Sequence, residues 1–470
     1  MVTVEKENEM DVKDKKVTVV GLGNSGVNAA LLLAKAGAQV KATDSGKTPE
    51  LKKAKLSIQT KGVEVEIGAH TEDFIKGQDL IVVSPGIENS SPAIKWAERY
   101  KVPIISEMEL GFGFCKGKII AITGTNGKST VTTLVGEILK AGGMNTVVCG
   151  NIGNSLCGEI SRIKADTWVV MEVSSAQLER ISAFKPYIAV ILNITDDHMD
   201  RYRNFYEYFN EKLKIFSRQD ENDILVVNYD AENLRRLKGL TRSHVTFFGK
   251  EAHAVNGYHV SAFTKDGKIY CAYEAATKEI MAVSDIKLKG IHNLENVLVS
   301  SLIGTIVGVE VDAIADTVKN FTALEHRFET VDTVDGVDYI DDSKGTTVDS
   351  TKRALESCTK PVILIAGGKD KFSDYSIVKG AVKEKVKHVV LIGEAAKAIK
   401  KALADAAPVS DAKTMGEAVE LSYKLAKNGW VVLLSPMCSS FDMYKNYKER
   451  GNAFREAVVK MKSSRHSIQT

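Results

Sequence analysis

The stretch IIAITGTNGKSTVTTLVGEILKAGG spans residues 119–143. Its first five residues, 119–123, form a short apolar, β-branched run, the pattern of a buried strand. Gly124-Thr125-Asn126-Gly127-Lys128-Ser129-Thr130 follows as a glycine-rich turn, and a helical pattern then runs to the glycines at 142 and 143. Strand, glycine turn and helix in that order predict a phosphate loop. Backbone N–H groups of the turn and the helix N-terminus face an anion, and the helix dipole favours its charge. Lys128 would reach the β- and γ-phosphates of a nucleotide, and the hydroxyl of Ser129 or Thr130 would ligate Mg²⁺. The full G-x-x-x-x-G-K-[ST] spacing is not met, because Ile122 stands at the first glycine position. The pattern is a shorter variant.

Upstream, VTVV (17–20) stops at Gly21, a helix is predicted over 27–36, and AQVKAT (38–43) ends at Asp44. This is a βαβ unit. Gly21-Leu22-Gly23-Asn24-Ser25-Gly26 fits the G-x-G-x-x-G dinucleotide fingerprint, with Asp44 placed for a ribose hydroxyl. DLIVVSPG adds a strand that ends at Ser84-Pro85-Gly86. Downstream, TWVVMEV (167–173) and IAVILNI (188–194) end in polar residues, Glu172 in the first and Asn193 in the second, followed by Asp196-Asp197-His198. A third restart carries four strand-then-polar segments: VDYIDDSKGTT, PVILIAGGKDK, KHVVLIGEA and WVVLLSPMCSS. Open α/β sheets place ligand sites at such strand ends. The reading is an α/β protein of three domains: a Rossmann-like domain over 1–106, a central phosphate-loop domain over 107–323 and a Rossmann-like domain over 324–470. The pattern over 240–285 gives no placement.

The length of 470 residues suits about three domains of roughly 150 residues each. Apolar residues make up 44% and charged residues 26%, which excludes disorder as the main description. The net charge of +3 leaves no global basic field and argues against a dedicated nucleic-acid binder. Six scattered cysteines without a C-x-x-C pair suit a reducing compartment. The opening MVTVEKENEMDVKDKK has no apolar core of a signal peptide, and no run reaches the roughly 20 apolar residues of a membrane span. A soluble cytoplasmic protein is expected, without membrane or nucleic-acid partners.

Mg²⁺ takes oxygen ligands. Beyond Ser129, the candidates are Glu172 and the Asp196-Asp197-His198 cluster. For His198 a metal ligand and a structural hydrogen-bonder stand as equal readings. Lys212 carries more information. Phe205, Tyr208, Phe209, Leu213 and Phe216 fall on one helical face with Lys212 in its middle and Lys214 opposite. A lysine there either snorkels, with its stem packed and its ammonium in water, or is buried with a reactive amine. In the third domain Arg327 and Lys344 are fixed cations suited to a transferring phosphoryl group. Lys371 and Ser439-Ser440 follow later strands.

In order along the chain stand GLGNSG (21–26), SPGI (84–87), GTNGKST (124–130), GNIG (150–153), MEVSSAQLE (171–179), DDHMDRY (196–202), EKLKIF (211–216), GIHNLEN (290–296), HRFE (326–329), DDSKGTT (341–347) and SPMCSSFD (435–442). Together they resemble the Mur ligase family of peptidoglycan synthesis, along nearly the whole chain after about residue 15.

The resemblance implies an ATP-dependent ligase that joins an amino acid to a UDP-linked carboxylate through an acyl phosphate. The Rossmann-like first domain points to the member that adds D-glutamate to UDP-N-acetylmuramoyl-L-alanine. On that basis Lys128 cradles phosphates, Ser129 and Glu172 hold one Mg²⁺, and His198 helps hold a second. Lys212 corresponds to the family lysine that CO₂ carbamylates, which gives the second metal an oxygen ligand. Gly124 to Thr130, Asn293, Asn296, Arg327 and Asp342 would contact ATP. Gly21, Ser25, Asp44, Ser84, Pro85, Gly86 and Asn151 would contact the UDP-substrate. Lys344, Thr346, Lys371, Ser440 and Phe441 would hold D-glutamate. A monomer is expected, with the third domain closing over the other two. Gly46 departs from relatives that carry Arg there, and Tyr447 stands where the aromatic is often Phe. Three alternatives share parts of the pattern. One is a family member adding L-alanine or acting on a folate, the second is a nicotinamide-dependent dehydrogenase built on the GLGNSG turn, and the third is a non-catalytic ATP-binding protein with a regulatory role.

Overall fold

A computed structural model describes residues 10–466, apart from positions 200, 253, 256, 257, 274, 275, 289, 290 and 323, and apart from the side chains at 254, 255, 258, 259, 291, 292 and 466. The opening residues through Glu9, Asp200 of DDHMDRY and Gly290 of GIHNLEN therefore lie outside the described residues. Two compact units divide the chain. The first holds the chain through Ile194, Tyr206–Met281 and Leu298–Thr317, and the second holds Thr195–Phe205, Ala282–Val297 and Val318 onwards.

The first unit contains two sheets. One has five parallel strands: β1 (Lys16–Val20), β2 (Gln39–Asp44), β3 (Glu64–Ile67), β4 (Leu80–Val83) and β5 (Ile104–Ser106), in the order β3-β2-β1-β4-β5. Separate apolar clusters cover its two faces, one built on Val17, Val19 and Leu33, the other on Val20, Ile81 and Ile94. That is the doubly wound arrangement of a parallel sheet. The strand order reverses between β1 and β4, and the Gly21 turn and Ser84 sit at those two strand ends.

The fingerprint glycines have steric reasons. Gly21 takes a φ of 90°. A Cβ on Gly26 would lie 1.7 Å from the Gly21 carbonyl oxygen, so only glycine lets the helix Asn24–Lys35 start this close to the turn. That helix begins three residues earlier than its apolar periodicity suggests, because Asn24 and Ser25 supply its polar first turn.

The other sheet of this unit comprises β6 (Lys118–Thr123), β7 (Thr146–Gly150), β8 (Trp168–Glu172), β9 (Ile188–Ile191), β10 (Ile224–Asn228), β11 (His244–Glu251), β12 (Ala254–Val255), β13 (Tyr258–Lys265), β14 (Lys268–Tyr273) and β15 (Ala276–Ala282). Its main path runs β15-β14-β13-β11-β10-β9-β6-β8-β7, with β12 paired to β13. The stretch that gave no placement thus extends this sheet. Its alternation fails because the β11–β13 register shifts at Phe247/Phe248 and again before Glu251. The β13–β14 hairpin closes on Asp266-Gly267, both at positive φ, the tight-turn pair that hairpins prefer.

The second unit carries β16 (Glu329–Val334), β17 (Val337–Asp341), β18 (Val362–Gly367), β19 (Val386–Ile392), β20 (Val409–Asp411) and β21 (Val431–Leu434), in the order β16-β17-β21-β18-β19-β20. All pairs are parallel except the β16–β17 hairpin. Apolar clusters again cover both faces. The α/β class and the three-sheet architecture agree with the sequence reading. No described helix is long and apolar enough to cross a membrane.

Gly26→Ala is expected to lower the thermal midpoint by several degrees, a loss of about 2–4 kcal/mol. Gly23→Ala, whose added Cβ meets nothing within 4 Å, should shift it by less than about 1 °C. Scanning calorimetry of both variants beside the wild type checks the contrast.

Candidate functional site

In the first unit the helix Lys128–Ala141 starts at Gly127, whose φ of 86° lets the chain turn from loop to helix. The loop is bracketed from β9's end by Asn193. Its carbonyl accepts from Thr125 N–H at 2.8 Å, its Oδ1 accepts from Asn126 N–H at 2.8 Å, and its Nδ2 donates to the Asn126 carbonyl at 3.1 Å. Lys128 Nζ folds back onto the carbonyls of Gly124 and Thr125 at 2.8 and 2.9 Å. Thr125 and Thr130 are buried beside it, and Thr125 Oγ1 lies 3.1 Å from the Tyr208 hydroxyl.

Ser129 Oγ donates to Glu172 Oε2, and Asn151 Nδ2 donates to Glu172 Oε1 at 2.7 Å. Glu172 is 2% exposed. Gly150 permits this approach, since a Cβ there would meet the Glu172 carbonyl at 2.3 Å. The strand end of β8 therefore sits directly beside the start of the loop helix. A hydroxyl and a carboxylate in contact are hard oxygen donors of the kind Mg²⁺ prefers. Among the described residues no three His, Cys, Asp or Glu side chains group as a metal site.

Lys212 lies on the helix Phe205–Leu213 and is 2% exposed. Its Nζ donates to the Gly124 carbonyl at 3.0 Å and to Thr123 Oγ1 at 3.4 Å, and sits over the Tyr208 ring at 4.8 Å. Of the two readings of Lys212, snorkelling is excluded: the ammonium is inside, against the loop. Lys214, read as opposite, is half-buried and pairs with Glu211 at 2.6 Å.

At the first sheet's switch point Ser84 Oγ donates to the Gly21 carbonyl at 2.8 Å. The Asp44 carboxylate accepts from the N–H groups of Leu22 and Gly46 at 2.7 and 2.8 Å, joining two turns. A Cβ on Gly46 would press on Leu51 Cδ1 at 2.6 Å. Ser25 stands half-buried in the first turn of its helix, and Pro85-Gly86 continue from Ser84 into a turn closed by Ile87 N–H on the Ser84 carbonyl at 3.0 Å.

In the second unit His198 sits at a φ of 58° with its side chain 47% exposed, Nε2 being 3.4 Å from Asp197 Oδ2. Asp197 also pairs with Lys371 at 3.0 Å, both nearly buried. Asn293 and Asn296 are buried and joined to each other at 3.1 Å. Asn293, Phe328, Thr330 and Ile340 line a cavity of about 740 Å³. Lys344 Nζ lies over the Tyr447 ring at 4.3 Å, which gives the aromatic at 447 a task. Thr346 N–H bonds to the Lys344 carbonyl at 2.7 Å. Ser440 is buried, whereas Phe441 is 72% exposed.

Asp342 accepts from Ser435 Oγ at 2.8 Å and from Phe328 N–H at 3.3 Å. Burial pushes its carboxyl up to about 7, against the opposing pull of Ser435 and Arg327. Sequence reasoning missed Arg450, the Asp197–Lys371 pair and the contact of Tyr208 with the loop.

A carboxyl raised in the folded state contributes stability below its ordinary range, and that contribution is lost as the pH rises from about 4 to about 7. Asp342→Asn should therefore gain thermal stability relative to wild type between about pH 5 and about pH 8. Unfolding curves at the two pH values decide it, and an equal difference at both would contradict the shift.

Three family models match in chain order: the Mur ligase MurD-like N-terminal domain over residues 15–106, the Mur ligase middle domain over 122–304 and the Mur ligase glutamate ligase domain over 326–438. A UDP-N-acetylmuramoylalanine–D-glutamate ligase of Koribacter versatilis is 43% identical over 96% of this chain and 99% of its own length. One from a Thermoanaerobacter species is 40% identical over 96% of this chain and 100% of its own. Among solved structures, the UDP-N-acetylmuramate-alanine ligase MurC of Thermotoga maritima shares the fold at a TM-score of 0.58 and 19% identity, covering 96% of this chain and 100% of its own. The MurF ligase of Thermotoga maritima in complex with ADP does so at 0.56 and 16%, covering 97% of each chain. Matched over all three of its sheets and at this identity over nearly its full length, the chain belongs to the Mur ligase family.

Proposed function

We propose that this chain joins D-glutamate to UDP-N-acetylmuramoyl-L-alanine, driven by ATP, in the cytoplasmic synthesis of peptidoglycan precursor. The observation that carries this reading is the phosphate loop with Ser129, Glu172 and Asn151 hydrogen-bonded in a row beside it and Lys212 buried against it. The names of the relatives supply the amino acid and the sugar nucleotide. Gly124 to Thr130 receive the phosphates, with Lys128 released from the loop carbonyls to a phosphate oxygen. Asn293, Asn296, Arg327 and Asp342 take the rest of the nucleotide.

The substrate carboxylate attacks the γ-phosphorus, ADP leaves, and the amine of D-glutamate then displaces phosphate from the acyl phosphate. Ser129 and Glu172 would hold one Mg²⁺, and His198 with carbamylated Lys212 a second; bound there, the ions neutralise charge on the transferring phosphoryl group. The Lys212 ammonium first gives up one proton, and the free amine then adds to CO₂ and releases a second, turning a cation into an anionic oxygen donor. Gly21, Ser25, Asp44, Ser84, Pro85, Gly86 and Asn151 hold the UDP-substrate. Lys344, Thr346, Lys371, Ser440 and Phe441 meet the acceptor, whose two carboxylates call for cations and hydroxyls. The protein acts as a monomer, without nucleic acid or membrane.

Phosphate release with ATP, Mg²⁺ and UDP-N-acetylmuramoyl-L-alanine should depend on D-glutamate and not on L-glutamate. Turnover with L-alanine in its place would overturn the acceptor. Lys212→Ala should lose at least about 100-fold in rate and regain part of it with acetate. The wild type should show a ¹³C carbamate resonance under ¹³CO₂ that the variant lacks. No rescue and no resonance would remove the carbamate.

A further inference from the structure

The residues assigned to the acceptor ride on three separate loops of the second unit: Lys344 and Thr346 after β17, Lys371 after β18, Ser440 and Phe441 after β21. One side chain reaches the backbone of all three loops or a group bonded to it. Arg450, on the helix Tyr447–His466, is 1% exposed. Its Nε donates to Ser343 Oγ at 3.0 Å and its Nη2 to the Ser343 carbonyl at 2.8 Å. Its Nη1 donates to the carbonyls of Cys438 and Ser439 at 3.0 and 3.1 Å. The Ser439 carbonyl also accepts from Lys369 N–H at 2.9 Å, so the loop after β18 hangs on the same oxygen.

The surroundings are built to let the guanidinium in. A Cβ on Gly368 would lie 2.3 Å from the Ser439 oxygen and 2.9 Å from Arg450 Nη1. A Cβ on Gly451, the next residue on the helix, would lie 2.1 Å from His326 Nδ1. Burial pulls the guanidinium down to about 10, which leaves it charged at neutral pH. Burying a cation among carbonyl and hydroxyl oxygens is expensive, and stability alone is often served as well by an apolar side chain of similar volume. What the cation supplies is a fan of donors in fixed geometry, and a positive potential under loops that must receive two carboxylates.

We propose that Arg450 is a positioning residue that holds the three acceptor loops in mutual register and draws a dicarboxylate amino acid to them. This rests on the acceptor site assigned under Proposed function.

The test is steady-state kinetics of phosphate release by the full-length enzyme. Arg450→Lys, which keeps a charge but loses the fan, should raise KM for D-glutamate about tenfold or more. KM for the UDP-substrate should stay within about twofold. Arg450→Ala should recover part of its loss on addition of millimolar guanidinium, which a purely structural residue would not show. Ser343→Ala, which removes one acceptor, should raise KM for D-glutamate about threefold. An unchanged KM for D-glutamate in Arg450→Lys overturns the assignment. So does a loss shared equally between both substrates with no guanidinium recovery. Should the Arg450 variants not fold, an unchanged KM in Ser343→Ala overturns it. A wild type without D-glutamate-dependent release overturns the functional reading itself, whereas wild-type release with unaltered variants overturns only the role of Arg450.

Discussion

Two ammonium groups share one carbonyl. Lys128 and Lys212 both donate to the Gly124 oxygen, at 2.8 and 3.0 Å, which places the two cations within about 6 Å of each other. Like charges this close in a partly desolvated pocket favour anything that brings negative charge or removes positive charge. A phosphate on the loop would do the first, and the carbamate proposed for Lys212 would do the second. The loop's glycines and the bracket from Asn193 fix the carbonyl on which that pair of cations meets.

The same design recurs at each sheet. Polar side chains stand at or beyond the carboxyl ends of the strands: Ser84 after β4, Glu172 on β8, Asn193 after β9, Asp342 after β17 and Ser440 after β21. Apolar strands buried on both faces fix the backbone, and the polar ends are then free to vary with the task. Glycine makes close approaches possible, at Gly26 against Gly21 and at Gly150 against Glu172.

Much of this was legible in the sequence where the cause is local. The phosphate loop announces itself through strand, glycines and lysine in succession. Lys212 could be placed on an apolar face because helical periodicity needs only neighbouring residues, though its direction, inward or snorkelled, could not. The region around β11 to β15 was illegible because register shifts break the alternation on which strand reading depends. The Asp266-Gly267 turn was the available signal there. Arg450 was hidden for a different reason. Its partners are mostly backbone carbonyls, which every residue carries, and Ser343 is 107 residues away. The ion pair of Asp197 with Lys371, 174 residues apart, is equally beyond local pattern.

All six cysteines are unbridged and buried. Burial raises the thiols of Cys149 and Cys157 well above their ordinary value, and lifts Cys271 to about 12, Cys358 to about 11 and Cys438 to about 12. The thiolate is the reactive form, so in the folded chain these sulfurs are shielded both by access and by protonation. Alkylating reagents can reach them only when the surrounding packing opens. Cys157 sits in the core of the first sheet, Cys271 on β14 and Cys438 in the core of the second unit, after β21. The rate at which each sulfur is labelled is thus a clock for the breathing of its own part of the molecule, and one that needs no substitution in the chain.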